Sequence, residues 1–285
     1  MLSLNLKLDS VYYLTTNAEL TILEDINGRQ QVVTTILGGK AANKIIAIKD
    51  SLYEIEVLYK RMSMNLTVAG RTASYDSDDK NSSNPLSKVM AAMMDKPFTM
   101  TVSRSGKVIA VKNMERVYAD AFKGPSQITE AQQAQLKKQV EKSFGAAAVK
   151  KNFQDAFAML PTIAVGLNDK WAASTTSESV VAINEKISYT LKDITDKAFL
   201  INGESVITSA GTSDFKLYNG VTMRYSKVNG STTSQLMIDK NTGWIIEAKI
   251  AKLIKCTVEV KQNAPASETM TFPMTITGNL TMSSR

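Results

Sequence analysis

The chain has 285 residues, of which 44% are hydrophobic and 21% charged, as expected of a folded globular protein and not of a disordered one. Its 34 basic and 27 acidic residues give a net charge of +7, but no dense Lys/Arg run concentrates it, so nucleic-acid binding is not predicted. The chain contains no histidine. Because His is the usual general base near neutral pH and the commonest metal ligand, histidine-dependent triads and most zinc sites are excluded.

Residues 1–75 are predicted to form consecutive antiparallel strands. Apolar residues alternate with polar ones over residues 2–8, 53–59 and 62–68, which is the pattern of half-buried strands. The first of these runs predicts a strand that begins at the N-terminus. Turn signals separate the strands at Asn27-Gly28, Gly38-Gly39, Lys49-Asp50-Ser51 and Gly70.

Residues 84–161 are predicted to contain several helices and one hairpin. Asn84 before Pro85 is a favourable N-cap and first-turn pair, so a short helix is expected from Pro85. A hairpin over residues 98–111 follows, and residues 113–161 show helical periodicity that ends at Pro161. Because these helices have narrow apolar stripes and polar backs, we expect them to lie on one face of a sheet.

The chain after Pro161 returns to the period-two pattern of strands. Turns are predicted at Asn229-Gly230 and over residues 239–243, and Cys256 falls on the apolar side of its strand. As the only cysteine, it cannot form an internal disulfide. Residues 102–112 and 238–249 share one hairpin pattern, which leaves open a similarity between the two halves.

These elements predict an α+β fold with a large curved antiparallel sheet, similar to a half-barrel, and amphipathic helices packed on one face. The two strand-rich halves are compatible with two similar units. We interpret residues 1–285 as a single domain. It comprises an N-terminal strand-rich half at 1–112, a helical segment at 113–161 and a C-terminal strand-rich half at 162–285.

Little in the sequence predicts catalysis, so we expect no enzyme, no catalytic residue, no metal site and no cofactor. The S-x-x-K matches at Ser77–Lys80 and Ser213–Lys216 lack the partner motifs of acyl-enzyme chemistry. The acidic residues Asp76, Asp78 and Asp79 lack the remaining ligands of a calcium loop and are read as a solvated loop. An enzyme that uses two carboxylates stays open, because such pairs have no sequence signature.

The 14 methionines are the side chains that most suggest a ligand. Flexible thioethers suit a pocket for apolar ligands, but they fill ordinary cores equally well, and both interpretations stay open. If a groove exists between sheet and helices, we expect it to be lined by Met90, Met93, Met94, Phe144, Phe153 and Phe157.

Several short segments resemble an uncharacterised family of Gram-negative envelope proteins, which are often predicted lipoproteins. The segments are Tyr75-Asp76-Ser77-Asp78, Pro85-Leu86-Ser87-Lys88, Lys96-Pro97-Phe98-Thr99, Gly106-Lys107-Val108, Val165-Gly166 and Trp171. The family's usual V-G-D-x-W is replaced here by Val165-Gly166-Leu167-Asn168-Asp169-Lys170-Trp171. A curved sheet with helices on its concave face is also similar to the periplasmic lipoprotein carriers and other lipid-binding half-barrels.

The resemblance implies an exported protein, periplasmic or anchored in the outer membrane, whose signal peptide has been removed and whose lipid anchor lies outside this sequence. We expect it to bind a lipid or another apolar small molecule between sheet and helices. The alternative is a structural lipoprotein without a small-molecule ligand, which contacts an envelope protein partner through its strand faces or a sheet edge.

Overall fold

The computed structural model describes residues 2–79, 82–122, 129–178, 181–210, 214–218, 220–261 and 269–284. The strands are β1 (Val11–Ile26), β2 (Arg29–Lys49), β3 (Leu52–Val68), β4 (Arg71–Asp76), β5 (Phe98–Ser103), β6 (Val108–Lys112), β7 (Lys170–Glu178), β8 (Ala182–Ile194), β9 (Ala198–Ser209), β10 (Lys216–Tyr218), β11 (Val221–Asp239), β12 (Ile245–Lys261) and β13 (Thr269–Ser283). The helices are α1 (Pro85–Met93), α2 (Met114–Ala121), α3 (Glu130–Phe144) and α4 (Ala146–Ala156).

All the strands join one antiparallel sheet in the order β6-β5-β3-β2-β1-β13-β12-β11-β9-β8-β7, with β4 paired to β3 and β10 to β11. The strands begin in the middle of the sheet with β1 and proceed outward to β6 at one edge. They resume with β7 at the opposite edge and proceed back to β13, beside β1. Because β13 pairs with β1, both strand-rich halves share one sheet. The predicted fold class, a curved antiparallel sheet with a minority of helix, is confirmed.

The helices cover one face of the sheet, which we call the inner face. Asn84 caps α1 as predicted, since its Oδ1 accepts the Leu86 amide at 2.9 Å. The main helix–strand contacts are those of α1 with β3 and β4, α2 with β5, and α4 with β6. The helices thus lie mainly over the N-terminal half, where they enclose the core.

The N-terminal segment differs from the prediction, because residues 2–8 form no strand. Leu2, Leu4 and Leu6 are buried in the core as the alternation indicated, whereas Leu8 is exposed. The backbone amides of Leu4 and Asn5 donate to the carbonyls of Arg104 and Thr242, each at 2.8 Å. The segment therefore spans two hairpin turns, β5–β6 and β11–β12, and it has turn carbonyls as partners instead of a neighbouring strand.

Two glycine pairs predicted as turns instead lie within long strands. Gly38-Gly39 is inside β2 and Asn229-Gly230 is inside β11. A Cβ atom on Gly38 would lie 2.5 Å from Ser63 Oγ, and one on Gly230 would lie 2.2 Å from the Leu253 carbonyl oxygen. These glycines thus allow close approach of a neighbouring strand and not a reversal of the chain. The turn prediction at Asn27-Gly28 is correct.

Candidate functional site

The six residues predicted to line a groove all lie in the core beneath the helices. Met90, Met93, Phe153 and Phe157 are buried, and Met94 and Phe144 are partly buried against the same cluster. The structure therefore places all six in one core cluster. Their role in ligand binding stays a prediction.

Aromatic rings connect α4 to the sheet within this core. The ring centroids of Phe153 and Phe157 are 4.7 Å apart, and that of Phe157 lies 5.0 Å from that of Trp244, the residue before β12. Tyr12 of β1 also packs against Trp244, with ring centroids 5.2 Å apart. Trp244 was missed by the sequence analysis, although a Trp directly after a predicted tight turn could have been noted as an anchor.

A group of polar residues, which we call the polar belt, crosses the inner face of the C-terminal half. It consists of Glu185, Ser205, Thr232 and Lys252. Ser205 Oγ donates to Glu185 Oε1 at 2.7 Å, and Thr232 Oγ1 donates to the same oxygen. Lys252 Nζ lies 2.7 Å from Glu185 Oε2. Both carboxylate oxygens of a residue only 5% exposed therefore have partners.

The electrostatics of the polar belt favour an ionised Glu185. Burial acts to raise the pKa of this carboxyl, but hydrogen bonds from Lys252, Thr232 and Ser205, together with the Lys252 charge, hold that pKa below its ordinary value. The Lys252 side chain keeps 33% of its surface exposed. Within the polar belt, Glu185 and Lys252 thus form an ion pair with no net charge, and Lys252 is the partner that is accessible to solvent.

The polar belt divides the inner face into two apolar parts. On β12, Ala248 and Ile250 belong to the helix-covered core, whereas Ile254, Cys256 and Val258 belong to a second buried cluster. Lys252 lies between the two groups on the same face, because side chains two residues apart share a face. The alternation on β12 places Lys252 on the inner face, but it does not show that Lys252 pairs with Glu185.

The second cluster and the residues around it form what we call the distal apolar surface, since it lies at the far end of the long strands from the N-terminal segment. Its buried floor includes Cys256 and Phe272. Its partly buried rim comprises Leu20, Ile22, Ile26, Met223, Tyr225, Val260 and Met270. Among the residues that the structure describes, none of the main helix–strand contacts involves the rim strands β1, β11, β12 or β13.

The apolar character continues onto the strands next to β1. Ile22 is paired with Val33 of β2, which is paired with Val68 of β3. Val68 is 37% exposed, and Leu37, further along the same face of β2, is 43% exposed. The distal apolar surface is therefore open on the side of the N-terminal half.

Gly278 of β13 leaves room at the border between the distal apolar surface and the polar belt. A Cβ atom at this position would meet Leu20 Cδ1 and Lys252 Cβ, both at 3.8 Å. Those are ordinary van der Waals distances, so the missing side chain leaves a depression and not a tight strand contact. The depression joins an apolar rim to the exposed side of Lys252.

Three residues considered for catalysis or calcium binding, Ser77, Asp76 and Asp78, have structural partners. Ser77 is buried and its Oγ accepts the Met62 amide at 3.0 Å. Arg61 contacts Asp76 at 2.9 Å and Asp78 at 3.3 Å, and its hydrogen bond lowers the pKa of Asp76. The two S-x-x-K proposals cannot be completed, because Lys80 and Ser213 lie outside the described residues.

Two further features bear on the kind of site. Within the described ranges, His, Cys, Asp and Glu side chains form no group of three or more that could hold a metal ion. Over the same residues, no helix has both the length and the apolar character needed to cross a membrane.

The fold and its divided inner face define a class of protein, a curved antiparallel sheet whose helices cover only part of one face. The model of a family of unknown function, DUF6263, matches residues 50–245. The chain belongs to this family, which confirms the resemblance to an uncharacterised family. The match omits β1, β2, all of β12 except its first residue, and β13, so much of the distal apolar surface lies outside it.

Other comparisons add little to this assignment. The comparison with curated proteins gives no match. Among solved structures, the crystal structure of the COG4313 outer membrane channel from Pseudomonas putida F1 aligns over 98% of this chain and 97% of that chain. Its sequence identity is 7% and its TM-score is 0.25, so we draw neither fold nor function from it.

Proposed function

We propose that this chain is a non-enzymatic cell-envelope protein that binds a lipid or another apolar ligand on the inner face of its sheet, at the distal apolar surface. The observation that carries the proposal is an apolar rim whose strands make none of the main helix contacts in the described part of the chain, around a buried apolar floor. Large apolar areas left accessible in a folded protein commonly mark binding sites.

The side chains of the distal apolar surface suit ligands of variable shape. Met223 and Met270 lie on the rim and Met274 is in the floor, and thioether side chains adapt to different apolar partners. The opposite end of the inner face is occupied by the buried Leu2, Leu4 and Leu6. A ligand would therefore enter from the distal end.

The polar belt limits how far an apolar chain can extend along the inner face. Passing beyond Glu185 and Lys252 would require separation of a 2.7 Å ion pair whose carboxylate is buried, at a cost of about 2 kcal/mol. The depression at Gly278 is where the polar end of an amphiphile would meet the exposed side of Lys252. The site thus favours a ligand with one apolar end and one polar end.

The envelope location, export and lipid anchor are part of the same proposal. They are supported by the sequence resemblance through segments such as Tyr75-Asp76-Ser77-Asp78 and Lys96-Pro97-Phe98-Thr99. Fractionation of cells that express the native full-length protein tests them. Recovery of the protein in the cytoplasmic fraction alone would contradict the location without affecting the ligand proposal.

Ligand binding is tested by lipid extraction and by a fluorescent acyl probe. We expect mass spectrometry of extracts from the purified protein to detect a bound lipid, and we expect dansylaminoundecanoic acid to bind with increased fluorescence. Gly278→Leu, which fills the depression, should weaken probe binding at least tenfold. Ile36→Gln is the matched control, because Ile36 is an exposed apolar residue on the outer face of β2.

A second variant separates the distal apolar surface from the groove predicted by sequence. Met94→Gln changes the partly buried methionine beneath the helices and should leave probe binding within twofold of the unmodified protein. If Met94→Gln abolishes binding and Gly278→Leu does not, the ligand lies beneath the helices instead. Absence of both a co-purified lipid and probe binding would reject the proposal.

The alternative function, contact with an envelope protein partner, is favoured by the edge strand β7, one side of which has no paired strand in the described structure. Within the described residues β7 pairs only with β8, whereas the opposite end strand β6 packs against α4. Such an edge can accept a strand from another protein. The test adds solubilised envelope proteins to this protein after any bound lipid has been removed. Protection of the β7 amides from hydrogen exchange would then favour this alternative.

A further inference from the structure

A separate depression lies on the outer face of the sheet, opposite the helices. It has a volume of about 460 Å³, is open to solvent and crosses β9, β11, β12 and β13. Its exposed side chains are Asn202, Glu204, Thr233, Gln235, Lys249, Ala251, Asn279 and Thr281. We call it the outer groove.

The strand register arranges these side chains in two adjacent rows. One row runs through Asn202, Gln235, Lys249 and Thr281, and the other runs through Glu204, Thr233, Ala251 and Asn279. Neighbours within a row are on adjacent strands, about 4.8 Å apart. The outer groove therefore presents polar groups at regular intervals across the four strands.

The amide side chains of the outer groove are available to a ligand. Within the described part of the chain, the side chains of Asn202, Gln235 and Asn279 make no hydrogen bond. Each amide provides both a donor and an acceptor, and Ala251, the smallest lining side chain on the outer face, gives the groove depth beside them. A ligand that carries many hydroxyl groups, each also both donor and acceptor, matches this lining.

Other ligand classes match the outer groove less well. Lys249 contacts Glu247 at 2.9 Å, and with Glu204 in the second row the groove has no surplus of one charge that would select a strongly charged ligand. Seven of its eight outward side chains carry hydrogen-bonding groups, which an apolar ligand would cover without giving them partners. The lining strands β11 and β12 are paired on both sides, so their backbone cannot bind an added peptide strand.

We propose that the outer groove is a binding site for a neutral saccharide, recognised by the amides of Asn202, Gln235 and Asn279. This site is independent of the apolar ligand on the inner face. Binding is expected to be weak and specific for ring hydroxyl patterns, since the groove is open to solvent and the described residues that line it include no aromatic side chain.

The test uses three probes, maltotriose, cellotriose and chitotriose, with saturation-transfer NMR and titration against the purified full chain. We expect at least one trisaccharide to bind. Gln235→Ala combined with Asn279→Ala should weaken that binding at least fivefold, and Ala251→Leu, which fills the groove, should abolish it. Ala251 is exposed, so thermal unfolding of the Leu variant should match that of the unmodified protein.

Asn65→Ala is the matched control. Asn65 is an exposed asparagine of β3, in the same cross-strand row as Asn279 but separated from it by β1 and β2. This variant should bind the trisaccharide as the unmodified protein does. Failure of all three probes to bind, or full binding by the folded Ala251→Leu variant, would overturn the proposal.

Discussion

The carboxylate of Glu185 on β8 and the ammonium of Lys252 on β12 are 2.7 Å apart, although β9 and β11 lie between their strands. Three strand intervals of about 4.8 Å would place the two backbones about 14 Å apart in a flat sheet. Because side chains stand roughly perpendicular to a sheet, contact at this distance requires a concave inner face. The ion pair therefore reports the curvature that forms the candidate site.

Removal of Lys252 should destabilise the protein, because Glu185 Oε2 would lose its charged partner. We expect Lys252→Met to lower the free energy of unfolding by about 2 kcal/mol, less than for a fully buried pair because Lys252 is partly exposed. Urea denaturation measures this change. Lys249→Met, which removes the exposed partner of Glu247, is the control and should cost less than about 1 kcal/mol.

The double variant Glu185→Gln with Lys252→Met should recover most of the lost stability. A glutamine still accepts the hydroxyls of Ser205 and Thr232 but leaves no buried charge. A double variant less stable than Lys252→Met would show that the ion pair is not the reason for the loss.

The contribution of Glu185 should depend on pH in a defined direction. Because its pKa is lowered in the folded protein, the contribution is complete above the unfolded value of about 4.3 and is lost as the pH falls through the folded value. The stability difference between the unmodified protein and Glu185→Gln should therefore shrink between pH 6 and pH 3. Glu19→Gln controls for removal of an exposed carboxylate. A difference that grows on acidification would contradict the assignment.

The single thiol should be unreactive in the folded protein. Cys256 is 5% exposed, and burial, with a smaller effect of the nearby Glu24, raises the pKa of its thiol to about 11. Labelling with a disulfide reagent at pH 8 should be at least 100-fold slower in buffer than in denaturant. Thr277→Cys in a Cys256→Ser background places an exposed thiol on the same sheet as the control. Comparable native rates for the two thiols would contradict burial of Cys256.

Two glycines with similar backbone angles should differ in their tolerance of alanine. Gly28 has a φ of 77° with no atom near its absent Cβ, whereas Gly243 has a φ of 71° and a Cβ there would lie 2.2 Å from the Ser3 carbonyl oxygen. Gly28→Ala should cost about 1 kcal/mol for the left-handed conformation alone. Gly243→Ala should cost at least about 2 kcal/mol, because the N-terminal segment must also move. Equal losses in thermal unfolding would show that this segment is not fixed against the turn.

Much of the candidate site could not be predicted from residue patterns, because those patterns report which residues are buried and not which buried residues meet. The burial of Met93 and Phe157 follows from helical periodicity. Whether they line a cavity depends on how Trp244 and Tyr12 fill the adjacent space. Lys252 was part of a regular alternation, but its pairing with Glu185 joins residues 67 positions apart.

The sequence by itself determined the class of fold and the position of most elements, because alternation, helical stripes and the cap at Asn84 act over a few neighbouring residues. Only the tertiary structure decided that Gly38-Gly39 and Asn229-Gly230 continue a strand, since that depends on the approach of another strand. It likewise decided that residues 2–8 bridge two turns, and that the inner face is divided by an ion pair. These features arise from contacts between distant parts of the chain, which local patterns do not encode.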